Sequence, residues 1–202
     1  TPGLKTTSFS WQVSYDQAGN AYQVGVVIGD AFPKTPYAAF FSTPVYYLSK
    51  TKVNGLIDWV IFSNEGYGPM DIGGNVEIVS SGDMIIATFE WSDYWVQDGT
   101  PISISFGQQQ QQQLDFTTAN CSRIFILQVE STTGSIQWLK MIEQAQAPYP
   151  IEKSALEYQF TDRLGSDPNG NIYISQRCYE KVNYDSAESS CSPLFSSFFV
   201  LK

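Results

Sequence analysis

A short cassette that occurs twice in full and once in truncated form constrains the fold of this chain most. Each full copy has an apolar strand, a Gly turn and a second strand that ends in Trp, at residues 45–59 and 124–138. A third copy begins at Phe198 and stops at Lys202, before a Gly or a Trp occurs. Repeated sheet units bury their faces only against neighbouring units. The sequence therefore predicts stacked β-units, the last of which lacks a strand.

A second recurring element precedes each cassette and is typical of a β-hairpin. Its turn is Asp-x-x-Gly-Asn at residues 16–20 and 167–171, and a looser Ser-Ser-Gly-Asp at 80–83. Gly and Asn readily adopt the positive φ of tight hairpin turns, so no ligand is needed to explain them. Hairpin and cassette together form a four-stranded antiparallel meander. We predict an all-β protein of one domain, with units at about residues 8–63, 73–143 and 155–202.

The loop between the second and third strands varies from unit to unit. In the second unit we expect it to run from residue 93 to 120, and it contains six consecutive glutamines at 108–113. Such a tract is typical of a solvated or edge position, although glutamine ladders can also extend a sheet. The nearest approach to a helical pattern is residues 140–147, which would form one or two turns at most.

Composition favours a sheet protein and argues against two classes of partner. The chain is 43% hydrophobic and 15% aromatic, a mixture that suits pleated, half-buried surfaces. Its formal net charge of -9 argues against nucleic acid, whose phosphates attract Lys and Arg. No run of about 20 apolar residues occurs, so we expect no membrane span.

Cysteines and a glycosylation sequon favour an extracellular or cell-surface location. Cys178 and Cys191 flank a polar segment that a disulfide between them would close. Cys121 has no assigned partner and lies within the sequon that begins at Asn120. The chain does not begin with Met, as expected after removal of a signal peptide or cleavage of a precursor. The alternative is a cytosolic protein with three reduced, buried cysteines.

Few side chains of this chain are suited to catalysis. The absence of histidine excludes the Ser-His-Asp and Cys-His nucleophile arrangements. The cysteines lack the spacing of a zinc site, and the turn at 167–171 supplies only half of a calcium loop. Carboxylates near the long loop, Asp93 with Asp98 and Glu90 beside Trp91, leave a glycoside hydrolase as a minor alternative. We expect a non-catalytic protein without metal or cofactor.

An aromatic cluster precedes the long loop of the second unit. Trp91, Tyr94 and Trp95 fall within five residues. Such rings stack on sugars or pack against a protein partner, so a glycan-binding cell-surface module is the alternative function. The cluster is also explained by a strand that ends in the core at Trp91, with the other two rings over the base of a loop.

Several repeated residues match a known motif. Asp16, Gly19, Asn20, Tyr22 and Gly25 form its Asp-x-x-Gly-Asn-x-Tyr-x-x-Gly opening, Phe106 and Gly107 its loop, Phe125, Gly134 and Trp138 its close, and Phe199, Val200 and Lys202 a truncated close. In these positions the chain resembles the SBBP repeats of bacterial and secreted β-propellers, although it departs from them at Gln128 and Ser175. The resemblance implies about three propeller-type blades, and it implies no catalytic residues because the shared positions are turns and core.

Three four-stranded units are too few for an ordinary closed propeller, which has at least four blades. An unfinished third unit leaves an open strand edge, and such edges aggregate unless they are paired. We expect residues 1–9 to supply a strand to this edge, within one chain or between copies. The predicted function is an extracellular structural subunit that assembles with itself as a fibre or surface layer. The expected contact residues are Leu4, Thr6 and Phe9 of the donor and Phe198, Phe199, Val200 and Leu201 of the edge.

Overall fold

The chain is an all-β protein in its computed structural model. The structure describes residues 7–64, 74–78, 83–92, 99–107, 112–117, 121–145, 161–167, 169, 171–177, 181–184, 187–190 and 196–201. Within these ranges it contains fifteen strands and no helix, which confirms the predicted fold class at this level.

The first sheet is a four-stranded antiparallel meander, as predicted for the first unit. Its strands, in spatial order and in chain order, are β1 (Thr7–Tyr15), β2 (Ala21–Ala31), β3 (Ala39–Thr51) and β4 (Ile57–Phe62). Successive side chains of a strand point to opposite faces. Tyr22 and Val24 of β2 are accordingly buried on one face, while Val27 is buried on the other.

The second sheet contains a second antiparallel meander and two further strands. Its meander is formed by β5 (Gly74–Ile78), β6 (Met84–Ser92), β9 (Cys121–Glu130) and β10 (Ile136–Ala145). The hairpin of β13 (Lys181–Tyr184) and β14 (Ala187–Ser190) extends it to six strands, because β13 pairs with β10. The helical interpretation of the segment that begins at Lys140 is wrong, since residues 140–145 pair with β9.

The third sheet has three strands where the first sheet has four. Its order is β11 (Thr161–Ser166), β12 (Ile172–Arg177) and β15 (Ser196–Leu201), all antiparallel. The sequence predicted a third unit without its fourth strand, and the described part of this unit ends at β15. Among the described strands β15 pairs with β12 alone, so it is the edge of this sheet.

The long loop predicted for the second unit contains a hairpin instead. Strands β7 (Pro101–Phe106) and β8 (Gln112–Thr117) pair with each other. The last two residues of the glutamine tract, Gln112 and Gln113, begin β8, and Gln113 is solvent-exposed. Residues 108–111 lie outside the described part of the chain.

Both additional hairpins contact the fourth strand of the preceding unit. The backbone N–H of Gly107, after β7, donates to the carbonyl of Phe62 in β4 at 3.0 Å. The backbone N–H of Asn64 donates to the carbonyl of Ser105 at 2.9 Å. The hairpin β13–β14 likewise contacts the fourth strand of the second unit, because β13 pairs with β10. Each hairpin thus fastens its own unit to the one before it.

The second sheet packs between the first and the third sheets. One of its faces, with Phe89, Phe125 and Leu127, packs with Tyr22 and Leu48 of the first sheet in a shared core cluster. Its other face packs on the third sheet through a second cluster, which contains Ile86, Ile124, Ile126, Ile142, Ile172 and Ile174. Strand β5 also lies against β1 and β11, so the first strands of the three units are neighbours.

Trp59 of β4 joins the first unit to the second. Its indole Nε1 donates to the backbone carbonyl of Ser131 at 3.1 Å, and Lys50 Nζ donates to the same oxygen at 2.9 Å. Gly134, in the turn between β9 and β10, has a φ of +72°, and a Cβ added there would lie 2.9 Å from the Trp59 ring. Glycine is therefore required at this turn both for its backbone conformation and for its lack of a side chain.

A pair of glycine substitutions tests this junction. Gly134→Ala should lower the free energy of unfolding by about 3 kcal/mol, because backbone strain adds to a clash with Trp59. Gly55→Ala is the matched control, since Gly55 has a φ of +82° but open space around its Cβ position. Backbone strain alone should cost it about 1 kcal/mol. Equal losses for the two variants in chemical denaturation would contradict the proposed contact with Trp59.

Candidate assembly site

The first and third units are built on the same hydrogen-bonded turn. In the first, Asp16 accepts from the backbone N–H of Asn20 at 2.8 Å and from its side-chain amide at 2.7 Å. In the third, Asp167 accepts the same two bonds from Asn171, at 2.9 Å and 2.7 Å. Asp side chains stabilise turns in this way by bonding to nearby backbone groups. The turns support the structural interpretation of these Asp and Asn residues.

A tyrosine two residues after each Asn completes both turns. The hydroxyl of Tyr22 donates to Asp16 at 3.2 Å, and that of Tyr173 donates to Asp167 at 3.0 Å. Burial, followed by the nearby Asp16 carboxylate, raises the pKa of Tyr22 to about 12. The hydrogen bond to Asp167 is the main cause of a raised pKa at Tyr173. Both phenols therefore stay protonated as donors well above neutral pH.

The two tyrosines differ in what covers them. Tyr22 is 1% exposed, with the Trp59 ring centroid 6.1 Å from its own and Lys50 Nζ 5.6 Å from its ring. Tyr173 is 37% exposed. Tyr22 lies in the interface between the first and second sheets, whereas Tyr173 lies on the face of the third sheet that points away from the second. Tyr173 is therefore more exposed than its counterpart Tyr22, although both make the same bond to an Asp.

The predicted assembly edge is the outer strand of this same sheet. Phe198, Phe199, Val200 and Leu201 all belong to β15 and pair with β12, with Val200 directly opposite Tyr173. An edge strand offers unpaired backbone donors and acceptors to an incoming strand. In the described structure the open edge and the exposed tyrosine thus adjoin each other.

Part of the predicted donor segment, residues 1–9, already belongs to the first sheet. Phe9 lies within β1, opposite Val26 of β2, and Thr7 and Ser8 are paired in the same ladder. Including residues 7–9 in a free donor strand was therefore wrong, because they already complete the first sheet. Leu4 and Thr6 lie outside the described residues, so the prediction for them stays a prediction.

Trp91 does not offer a surface for a sugar. It is 3% exposed, and its ring meets Phe116 edge-on at 5.3 Å. The cavity beside it, also lined by Asn64 and Ile102, has a volume of about 20 Å³, room for roughly one water molecule. Tyr94 and Trp95 lie outside the described residues, and a glycan contact through them stays a prediction.

A buried charge near Trp91 escaped sequence analysis. The Arg123 side chain is fully buried and bonds to Glu143 at 2.9 Å and to the carbonyl of Thr117 at 3.0 Å. Its guanidinium lies 4.4 Å from the centroid of the Phe116 ring. Buried ions require such partners, so this cluster is explained as the anchor of the β8 strand to the second sheet. The one sequence feature that pointed to this cluster was a basic residue within the apolar strand β9.

The remaining predicted residues are the candidate catalytic carboxylates, the glycosylation site and the cysteines. Glu90 is buried, and its backbone carbonyl accepts a hydrogen bond from the Tyr46 hydroxyl. Asp93, Asp98, Asn120, Cys178 and Cys191 lie outside the described residues. Cys121 lies in β9, opposite Ala145. In the described part of the chain no three acidic or cysteine side chains cluster as a metal site, and no helix is long and apolar enough to cross a membrane.

No protein-family model matches this chain, and neither a curated protein nor a solved structure does. The resemblance to propeller repeats accordingly depends on the motif residues alone.

The hydrogen-bonded turns make stability sensitive to acid. Burial raises the pKa of Asp16, but hydrogen bonds from Asn20 and Tyr22 outweigh it and leave the pKa below its usual range. Bonds from Asn171 are the main cause of a lowered pKa at Asp167. Stabilisation from a lowered carboxyl pKa is complete above the unfolded value of about 3.9 and is lost as pH falls through the folded pKa.

We therefore expect the melting temperature to decrease as the pH falls below about 4. Asp16→Asn should be less stable than the parent at neutral pH and should lose less stability on acidification. Asp30→Asn, at an exposed position of β2, is the matched control. Parallel melting curves against pH for the parent and Asp16→Asn would contradict the role of this carboxylate.

Proposed function

We propose that this chain is a non-catalytic structural subunit that assembles with copies of itself. The observation that carries the proposal is the open edge of the third sheet. Its turn repeats the bonds of the first unit, but among the described strands β15 pairs with β12 alone, whereas β3 of the first sheet also pairs with β4. An open edge of this kind is a site where a strand of another copy pairs.

We assign the three sheets to propeller-type blades. Two observations support this: the first strands β1, β5 and β11 are neighbours, and each sheet packs by its face on the next. Both are features of blades arranged around an axis. The motif residues shared with SBBP repeats agree with the assignment.

Residues 1–6 are the proposed strand donor. They precede β1 directly along the chain. Insertion between copies would link the start of one chain to the end of the next. Such a contact is heterologous, so it forms a fibre or layer unless its rotation closes a ring.

Removal of residues 1–6 tests the proposal. We expect the shortened chain to be folded by circular dichroism but to sediment as a monomer, whereas the parent assembles. Leu4→Asp should weaken assembly in the same direction, and Lys5→Ser, at the neighbouring position with opposite strand orientation, is its control. Unchanged oligomers of the shortened chain in sedimentation velocity and negative-stain images would refute strand donation.

An extracellular location is the second part of the proposal. It is supported by the sequon at Asn120 and by the hairpin β13–β14, which folds the chain back between Cys178 and Cys191. We expect Cys178 and Cys191 of the native protein to resist alkylation until they are reduced. Rapid alkylation of both without reductant, measured by peptide mass spectrometry, would contradict the disulfide.

A further inference from the structure

The face of the first sheet that points away from the second sheet is buried. Val27, Val45 and Tyr47 lie on this outer face and are 3%, 0% and 4% exposed. Phe62 of β4 shares the face because it pairs with Tyr47, and Val60 shares it by alternation along the strand. These side chains form an apolar cluster whose described members all belong to the first unit. Among the described residues, the apolar cover of this face therefore comes from the first unit itself.

The end of the β2–β3 hairpin, residues 29–41, provides this cover, and we call it the strap. Phe32 meets the Tyr47 ring edge-on, with 5.3 Å between the ring centroids. The Phe62 ring lies 5.8 Å from Phe32 and 4.9 Å from Phe41, again between centroids. The rings of the strap thus lie over the outer face of their own sheet.

The strap folds back along β4. The hydroxyl of Tyr37 donates to the backbone carbonyl of Asp58, which lies four residues before Phe62. Tyr37 likewise precedes Phe41 by four residues, so the two contacts follow one direction along β4. The strap begins at Gly29, where the pairing of β2 with β3 shifts register and φ is +84°. A bulge of this kind bends the strand that contains it.

The closed strap carries backbone strain. Phe32 and Lys34 have φ values of +46° and +67°, and they are the two non-glycine residues with positive φ in the described part of the chain. Bulky side chains rarely adopt this conformation, because the Cβ approaches the following carbonyl oxygen. Such strain persists only where the surrounding contacts impose it, and it is typical of segments that switch between two conformations.

A buried hydroxyl adds to this strain where the strap joins the sheet. Thr43 stands between Phe41, the last residue of the strap, and Val45, which pairs with Val27. The Thr43 Oγ1 is buried and has no hydrogen-bond partner among the described residues. Burying an unpaired hydroxyl is unfavourable. The backbone strain and this hydroxyl both favour opening of the strap, and neither acts on the strands of the sheet core.

The closed strap occupies the place that a further sheet would take. The second sheet has a neighbouring sheet on each face, whereas the first sheet has the second sheet on one face and its own strap on the other. A terminal repeat stays soluble only when its outer face is capped. We propose that the strap is an autoinhibitory cap, which blocks association through the outer face and opens before the sheet unfolds. This goes beyond the proposed assembly, which uses the edge of the third sheet.

Hydrogen exchange tests the opening of the strap. Amides within residues 29–41 should exchange roughly tenfold faster than those within 45–50, because the strap opens locally while the sheet stays folded. Phe41→Ser removes the ring that packs on Phe62 and should speed exchange of the strap by roughly another tenfold, with residues 45–50 unchanged. Phe40→Ser is the matched control, since Phe40 points to the opposite side and is 55% exposed.

Thr43→Val tests the strap in the other direction. It keeps the shape of the side chain and removes only the unpaired hydroxyl, so it should slow exchange of the strap by roughly fivefold. This variant also decides the matter if Phe41→Ser does not fold. Strap amides that exchange only together with residues 45–50, in the parent and in Thr43→Val, would overturn a separately opening strap.

Dye binding and sedimentation test the inhibition. Phe41→Ser should bind an apolar dye and form larger species than the parent or Phe40→Ser at equal concentration, because an open strap uncovers Val27, Val45 and Tyr47. Circular dichroism checks that each variant keeps its sheets. A folded Phe41→Ser whose strap exchanges faster but whose dye binding and sedimentation match those of Phe40→Ser would overturn the cap.

The proposed strand donation is judged separately, because exchange in the strap is measured within one chain. If the strap behaves as expected and the chain without residues 1–6 still assembles like the parent, the cap stands and strand donation fails. If the shortened chain is monomeric and the strap amides exchange only with the sheet, strand donation stands and the cap fails.

Discussion

Burial of one sheet face against another is the interaction on which the rest of this structure depends. The second sheet carries apolar side chains on both faces, with Phe125 and Leu127 on one and Ile124 and Ile126 on the other. A sheet of this kind is stable only between two neighbours. The outer sheets provide those neighbours, and each uses one face to do so.

Polar groups fix how the sheets meet. Apolar faces alone permit several registers, because the hydrophobic effect has no direction. At the first junction Lys50 and Trp59 both donate to the Ser131 carbonyl, and the Trp59 ring occupies the space that Gly134 leaves. Lys50 also lies 3.3 Å from Asp58, so its charge is paired within the interface. These contacts join a strand end of one unit to a turn of the next.

The repeated residues predicted the meanders because their effects are local. An Asp that bonds to an Asn four residues later defines a turn wherever it occurs, as at Asp16 and Asp167. The hairpins β7–β8 and β13–β14 were not predicted, because their pairing depends on distant parts of the chain. The second has strands of four residues in a polar segment, and it pairs because β10 is adjacent. For Trp91 the sequence allowed either a sugar contact or the end of a strand in the core, and its contacts with Phe116 and Arg123 confirm the core position.

The sequence by itself determined that this protein is built of strands and where its tight turns lie. Those properties depend on periodicity and turn chemistry, which act over a few residues. Only the tertiary structure decided which faces are covered. Tyr22 and Tyr173 occupy equivalent turns, and one is buried because a sheet follows it while the other is exposed. Burial depends on what packs against a residue, and a local pattern does not contain that information.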